Sequence, residues 1–127
     1  MTSANPGDEM DLNHLHLHVA DLEASKQFYA RYFQLEERVR HGDVVFLSNA
    51  GDAPDRFDLA LVADAATALP SWFHFGFRLA RPEDVHALHR RMEDEGVRIE
   101  QPLEIEPAMV SYRCADPDGY LIEVYWE

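Results

Sequence analysis

The sequence predicts an α+β fold made of two βαβββ modules, each a mixed β-sheet with a helix on its outer face. The first observation is an internal repeat, in which segment 74–80 repeats the pattern of segment 14–20 and His74 falls 60 residues after His14. The second is that each repeat starts with apolar residues at alternate positions, the period-2 signature of a half-buried strand. The third is that a helix pattern and three strand candidates follow each repeat.

In the first module, Asp21 is a suitable N-cap for a helix. Strands are expected near 35–40, 43–48 and 57–62, and Ala53-Pro54-Asp55-Arg56 marks a turn before the last of them. The apolar positions of this helix are Leu22, Phe28, Tyr29, Tyr32 and Phe33.

In the second module, Pro82 is a favoured first helical residue and Gly96 a natural end. Strands are expected near 97–105, 108–115 and 119–126, and Asp116-Pro117-Asp118-Gly119 joins the last two as a turn. The apolar face of the helix carries Val85, Leu88 and Met92.

These boundaries predict a single folded domain over residues 13–127. The first module covers about 13–63, an Ala-rich linker with Pro70 about 64–71, and the second module about 72–127. Residues 1–12 are polar and acidic and are expected to form a flexible tail. Because they lack a basic and apolar leader pattern, no secretion signal is expected, and a cytoplasmic location is predicted.

Alternation along the strands predicts two faces for the sheet, one under the helices and one open and concave. The helix-covered face is expected to hold Leu15, Leu17, Val19, Phe75, Phe77, Leu79, Ile122 and Val124. The open face is expected to hold His14, His16, His18, His74, Arg78, Glu123 and Tyr125.

Composition excludes several classes of partner. The formal net charge of -13 repels phosphate backbones and anionic membranes, so neither nucleic acid nor a membrane is expected as a partner. No apolar run approaches the ~20 residues that span a bilayer. The one cysteine, Cys114, is expected to be buried and inert.

The open face carries a candidate metal site. Glu123 lies within an aromatic and aliphatic strand, where a carboxylate without a partner is costly. His14 and His74 occupy the same position of the repeat, so a pseudo-twofold arrangement places them opposite each other. Two imidazoles and one carboxylate leave coordination positions open, which is typical of non-haem Fe²⁺ sites.

Two segments resemble a known family. Leu12-Asn13-His14-Leu15, continuing through Val19-Ala20-Asp21-Leu22-Glu23-Ala24-Ser25 to Phe28-Tyr29, resembles the opening of vicinal oxygen chelate proteins. Asp116-Pro117-Asp118-Gly119-Tyr120-Leu121-Ile122-Glu123-Val124-Tyr125-Trp126 resembles their ending. The family includes glyoxalase I, fosfomycin-resistance transferases, bleomycin-resistance proteins and extradiol dioxygenases.

The resemblance implies paired modules whose strands form a cupped mixed β-sheet around a divalent metal. His14, His74 and Glu123 match the metal-ligand positions of the family's metalloenzymes. Fe²⁺ is the expected ion, with Mn²⁺ or Zn²⁺ as alternatives. In this family the modules pair within one chain or between two, and the short linker favours a homodimer.

Several positions depart from the family's enzymes. Ala60 stands opposite Glu123 in the repeat and cannot supply the fourth ligand of glyoxalase I, for which Asp58 is a weak substitute. Extradiol dioxygenases place a Tyr acid/base ten positions before the ligand Glu, where this chain has Arg113, while Tyr112 is expected to face the other way. Gln34 stands where the family usually has Gly after the first helix.

Two further residues are candidates for catalysis. His16 follows His14 on the open face and is a candidate general base, while Arg113 is a candidate for holding an oxyanion, as is Arg78. His18 is expected instead to pair with acidic groups at the rim. His86 and His89 are expected to lie on the surface.

The sequence thus favours a metal-dependent enzyme, dioxygenase-like, that chelates vicinal oxygens of a small-molecule substrate. The alternatives are a metal-dependent lyase or isomerase of glyoxalase type, or a metal-free antibiotic-binding protein of bleomycin-resistance type, for which the acidic surface suits a cationic ligand. No organic cofactor is expected.

Overall fold

The structure, a computed structural model, describes residues 10–127 and contains the two βαβββ modules in the expected order. The elements of the first module are β1 (His14–Val19), α1 (Leu22–Phe33), β2 (Glu36–His41), β3 (Val44–Ser48) and β4 (Asp58–Ala63). Those of the second are β5 (Phe75–Arg78), α2 (Pro82–Asp94), β6 (Ile99–Glu106), β7 (Met109–Ala115) and β8 (Leu121–Trp126). The strand predictions are confirmed to within about two residues at each end.

The eight described strands form two four-stranded sheets of equivalent topology. Sheet A has the order β1-β4-β3-β2, and sheet B the order β5-β8-β7-β6. The first pair of each sheet is parallel and the other pairs are antiparallel. The first strand of each module is therefore an edge strand, and the two edges do not pair with each other within the described chain.

Both helices begin and end as their sequences indicate. The Asp21 side chain accepts a hydrogen bond from the Ala24 backbone N–H at 3.1 Å, so α1 has its expected N-cap. The helix ends at Gln34, whose φ of 57° lies in the left-handed region that favours glycine. Helix α2 starts at Pro82 and ends before Gly96, which takes that conformation with φ of 79°.

Alternation assigns the two faces of each sheet as expected. In sheet A, Leu17 and Val19 are buried, and so are Leu59 and Leu61 on the neighbouring strand. In sheet B, Ile122 and Val124 are buried in the same way. The other side of each sheet, here called its open face, carries the histidines of β1 and, in sheet B, Glu123 of β8.

Side chains of α1 join the first module to the second. The Tyr29 hydroxyl donates to Asp116 Oδ2 at 2.6 Å in a fully buried position, and burial raises the pKa of both groups. The ring of Phe33 stacks on Phe77 with centroids 4.0 Å apart. One hydrophobic core therefore runs through both modules.

The connection between the modules is longer than the sequence indicates. No helix or strand lies between Asp64 and His74, so β5 begins at Phe75 and His74 immediately precedes it. Of the expected tail, residues 1–9 lie outside the described residues. Within residues 10–127, no helix is long and apolar enough to cross a membrane.

Two smaller predictions have different outcomes. Cys114 is fully buried, and burial raises the pKa of its thiol to about 12, which confirms an inert thiol. His89 was expected on the surface, but its side chain is only 13% exposed. Its ring packs edge-on against Tyr112 with centroids 4.8 Å apart, so this histidine belongs to the packing of α2 on β7.

Candidate metal centre

His74 presents one ring nitrogen to the open face of sheet B. Its Nδ1 lies 3.1 Å from the Trp72 carbonyl oxygen, which can only accept, so Nδ1 carries the proton. The lone pair is then on Nε2, which lies 3.4 Å from Glu123 Oε1 and 3.4 Å from Arg113 Nη2. This tautomer is the one that binds a metal through Nε2.

Glu123 lies in the middle of β8, with Gly76 and Arg113 as its direct neighbours on the flanking strands. Steric contact explains why position 76 is a glycine, because a Cβ there would lie 3.3 Å from the Glu123 carbonyl oxygen and 3.3 Å from the Tyr125 ring. The missing side chain lets Tyr125 lie against β5 on the same face as Glu123. The carboxylate therefore sits in a half-buried recess with an aromatic wall.

Arg113 stands beside both of these residues. Its Nε is buried and has no hydrogen-bond partner among residues 10–127. A buried donor without a partner is uncommon in folded proteins and makes Arg113 a candidate for binding a group that is not part of the chain. Tyr112, its neighbour along β7, faces the core as expected, with its hydroxyl 3.3 Å from Met92 Sδ.

His14 has a matching environment in the other module. It is the first residue of β1, and its Nδ1 lies 3.1 Å from Asn13 Oδ1, which again leaves Nε2 with the lone pair. It lies on sheet A, however, while His74 and Glu123 lie at sheet B. Within residues 10–127, no group of three His, Cys, Asp or Glu side chains is placed to hold a metal ion. The single chain thus brings together His74 and Glu123 but not His14.

The other two histidines of β1 also lie on the open face of sheet A. The rings of His16 and His18 are 5.3 Å apart and border a shallow pocket of about 240 Å³. His18 Nδ1 lies 3.7 Å from Asp64, which agrees with the expected acidic partner at the rim. His16 pairs across the sheet with Ala60.

Asp58 is not a free carboxylate. Both of its oxygens accept hydrogen bonds from Arg38 and Arg56, at 3.0–3.1 Å. The weak expectation of a fourth metal ligand at Asp58 therefore loses its support, since the carboxylate already neutralises a cation. Sequence analysis also missed Arg38, which lies in a β-bulge between Glu37 and Val39 and binds Asp58.

Comparison with known proteins agrees with this architecture. The chain is 32% identical over 123 residues to an uncharacterised protein of Pseudomonas aeruginosa, with 88% of this chain and 85% of that protein covered. It is 29% identical over 116 residues to a manganese-dependent 2,3-dihydroxybiphenyl 1,2-dioxygenase of Geobacillus genomosp. 3. That match covers 90% of this chain but only 36% of the dioxygenase.

Solved structures show the same fold. A possible glyoxalase from Bacillus cereus superposes with a TM-score of 0.74 at 29% identity, over 91% of this chain and 97% of that one. A fosfomycin resistance protein from Listeria monocytogenes gives 0.78 at 22% identity, over 93% of each chain. The family model for the glyoxalase/bleomycin resistance protein/dioxygenase superfamily matches residues 11–124. The chain therefore belongs to the glyoxalase/bleomycin resistance protein/dioxygenase superfamily.

Proposed function

We propose that the protein is a metal-dependent, dioxygenase-like enzyme whose metal is held by His74 and Glu123 of one chain and His14 of a second chain. The observation that carries the proposal is the orientation of the two histidines. Each hydrogen-bonds an oxygen through Nδ1, so Nε2 is the nitrogen that can bind a metal, and Glu123 Oε1 lies 3.4 Å from that atom of His74.

The donor set fits a divalent ion of the first transition row. Two neutral imidazoles and a carboxylate suit Fe²⁺ first, with Mn²⁺ or Zn²⁺ as alternatives, and leave positions open for a substrate. When bound, such an ion supplies Lewis acidity toward two adjacent oxygens of a substrate and, as iron or manganese, redox chemistry with O₂. The name of the Geobacillus relative, which is manganese-dependent, supports a metal of this class.

Arg113 is proposed to stabilise a substrate oxyanion beside His74. Its Nη2 lies 3.4 Å from His74 Nε2, so an oxygen held near that nitrogen also lies within reach of the guanidinium. Because an arginine does not release its proton near neutral pH, it binds the anion without transferring a proton. A separate base is therefore required.

His16 is proposed as that base. It lies on the same face of β1 as His14, two residues further along the strand, and an imidazole titrates near neutral pH. Tyr112 cannot take this role, because its hydroxyl lies in the core against Met92.

A homodimer is proposed because one chain leaves the site incomplete. Leu12 and Trp72 stand two residues before His14 and His74, at equivalent positions of the repeat. They are 95% and 72% exposed, which is unusual for large apolar side chains beside a polar site. A second chain, placed so that its sheet A faces sheet B of the first, covers these residues and closes two equivalent sites by twofold symmetry.

Ring-opening dioxygenation is the favoured reaction within this class, with isomerisation or lyase chemistry as the alternative. The choice rests on the likeness to the dihydroxybiphenyl dioxygenase, of which this chain spans about a third. Oxygen uptake decides between them, because only the dioxygenase consumes O₂ and only when a catechol is bound. A zinc protein that never consumes O₂ favours the alternative.

Metal content tests the ligand set directly. Protein purified without chelators should contain about one divalent ion per chain, and His14→Ala, His74→Ala and Glu123→Ala should each lose most of it. His86→Ala, which removes a helix histidine, is the matched control and should keep the metal. Stoichiometric metal in all three variants contradicts the ligand set, and a wild-type protein that binds no metal favours the metal-free binding protein.

A further inference from the structure

We propose that Arg38 and Arg56 form a binding site for an oxyanion, a carboxylate or phosphate group, on the open face of sheet A beside His14. That this oxyanion belongs to the substrate rests on the proposed metal site. The anion binding itself does not, and the two claims are tested separately below.

The position of the pair is set by Asp58. This residue is the direct neighbour of His14 across the β1–β4 pairing, and its N–H donates to the Asn13 carbonyl at 2.8 Å. Adjacent strands lie ~4.8 Å apart, so the carboxylate sits one strand away from the proposed ligand. The arginines that hold it therefore border the same face.

Asp58 holds the two guanidinium groups in place. Arg38 donates to it through Nε and Nη2, both at 3.1 Å, in a bidentate arrangement, and Arg56 donates through Nε at 3.0 Å. The side chains of Asp58 and Arg38 are only 12% and 15% exposed. Asp58 alone leaves one positive charge of the two arginines uncompensated, and the second carboxylate that pairs with them, Asp52, is exposed and displaceable. The partly desolvated guanidinium of Arg38 therefore favours an anion in the place of Asp52.

Donors remain available on both arginines. A guanidinium has five N–H groups. Arg38 uses three of them, on Asp58 and Asp52. Arg56 uses two, on Asp58 and the Ala53 carbonyl. The rest have no protein acceptor among residues 10–127, so an oxyanion can bind without breaking the contacts to Asp58.

Asp52 already illustrates the type of ligand. Its carboxylate accepts from Arg38 Nη1 at 3.3 Å, and its side chain is 88% exposed on the loop before β4. An exposed ion pair of this kind contributes little to stability. We infer that Asp52 competes with an external oxyanion for the same donor and is displaced when one binds.

The competing account is that the cluster only stabilises the sheet by linking β2 to β4 through an ion pair. A structural role of this kind explains the pairing of Asp58 with Arg38, because their bidentate ion pair reaches across β3. It does not require Arg56, which adds a second positive charge beside the same carboxylate. The two accounts give different expectations for a substitution of Asp52. If the cluster is only a cross-strand contact, the substitution leaves anion affinity unchanged. If the cluster is an anion site, the substitution raises anion affinity.

The first experiment is a calorimetric titration of chelator-treated, full-length protein with inorganic phosphate. Asp52→Asn should tighten phosphate binding about two- to fivefold, the worth of an exposed ion pair. Arg38→Gln should weaken it tenfold or more, as expected for charge-assisted hydrogen bonds. Arg40→Gln, which removes an arginine of the same strand that pairs with Glu37, is the control and should leave binding unchanged.

Equal phosphate affinity in wild type and Asp52→Asn overturns the site, and so does binding that survives Arg38→Gln. Because Asp52 is exposed, its substitution tests the proposal even if Arg38→Gln unfolds the protein. Acetate titrated in parallel distinguishes the two ligand groups. Binding of both supports a general oxyanion site, and binding of phosphate alone identifies a phosphate group.

The second experiment locates the anion relative to the metal. With Mn²⁺ bound, the ³¹P resonance of phosphate should broaden in wild type and Asp52→Asn, and the broadening should be lost in Arg38→Gln at equal metal occupancy. Broadening that persists in Arg38→Gln shows phosphate on the metal itself and overturns the assignment. A protein that binds no Mn²⁺ contradicts the proposed function but leaves the titration result standing.

Discussion

The two modules share a fold but differ at the equivalent positions that face the open side. In sheet A the row across β1, β4 and β3 is His16, Ala60 and Phe46. In sheet B the equivalent row is Gly76, Glu123 and Arg113. The first module thus carries a small residue where the second has its carboxylate, and an aromatic ring where the second has a charge.

This difference indicates that the open faces of the two modules have different roles. Each module has a histidine at its start, His14 or His74, whose Nδ1 hydrogen-bonds an oxygen. In the second module, Glu123 and Arg113 each lie 3.4 Å from His74 Nε2. In the first, the carboxylate beside His14 is Asp58, which is bound by Arg38 and Arg56. The first contributes the histidines of β1 and, beside His14, the Arg38–Asp58–Arg56 cluster. Under the proposed function, a complete site needs one open face of each kind.

Arg113→Ala removes the charge that distinguishes the second module and should have the largest effect. If the guanidinium stabilises a substrate oxyanion, turnover should fall about 10²-fold, while metal content stays near wild type. Oxygen uptake on catechols and elemental analysis measure the two quantities. Arg90→Ala, on exposed α2, is the control for loss of a positive charge. Equal losses of metal and turnover argue against this role for Arg113.

Tyr29→Phe tests whether the contact that joins the modules is as strong as its burial suggests. The variant leaves Asp116 Oδ2 buried without its 2.6 Å donor, so unfolding free energy should fall by about 1–3 kcal/mol. Urea unfolding measures it. Tyr32→Phe, at a more exposed position of the same helix, should cost less. A Tyr29→Phe protein as stable as wild type contradicts a structural role for the pair.

The ends of the two helices give the smallest expected difference. Gln34 and Gly96 both take positive φ, but only Gln34 has a side chain that disfavours it. Gln34→Gly should stabilise the protein by about 0.5–1 kcal/mol in urea unfolding. Gly96→Gln should destabilise it by about as much, since a Cβ there meets no atom within 4 Å and only the backbone is strained. A Gln34→Gly protein less stable than wild type, or a Gly96→Gln protein more stable than wild type, shows that packing, not backbone strain, decides these positions.

Much of the fold could be predicted from sequence because the signals are local. The period-2 alternation of His14 to Val19 assigned both faces of β1, and Asp21, Pro82 and Gly96 marked helix ends by their capping chemistry. The duplication then transferred the assignment to the second module. The sequence predicted His74 within the first strand of the second module, whereas β5 begins one residue later, at Phe75. The repeat does not determine at which residue strand pairing begins.

The parts that sequence could not supply depend on irregular backbone or on distant packing. Arg38 lies in a bulge of β2 and binds Asp58 across β3, and no local pattern indicates either feature. His89 is buried because Tyr112, from β7, packs against it. The separation of His14 from His74 and Glu123 follows from how two sheets are placed, and this is a property of the folded chain.

The most direct test of a site shared between two chains is metal recovery after mixing two defective chains. Equal amounts of His14→Ala and Glu123→Ala protein are unfolded together, refolded and analysed for metal. In a mixed dimer with shared sites, one site receives both substitutions and the other receives none, so about one ion per mixed dimer should return. If each chain builds its own site, every site carries one substitution. No recovery of metal in the mixture, or a monomeric mass by light scattering, contradicts the shared site.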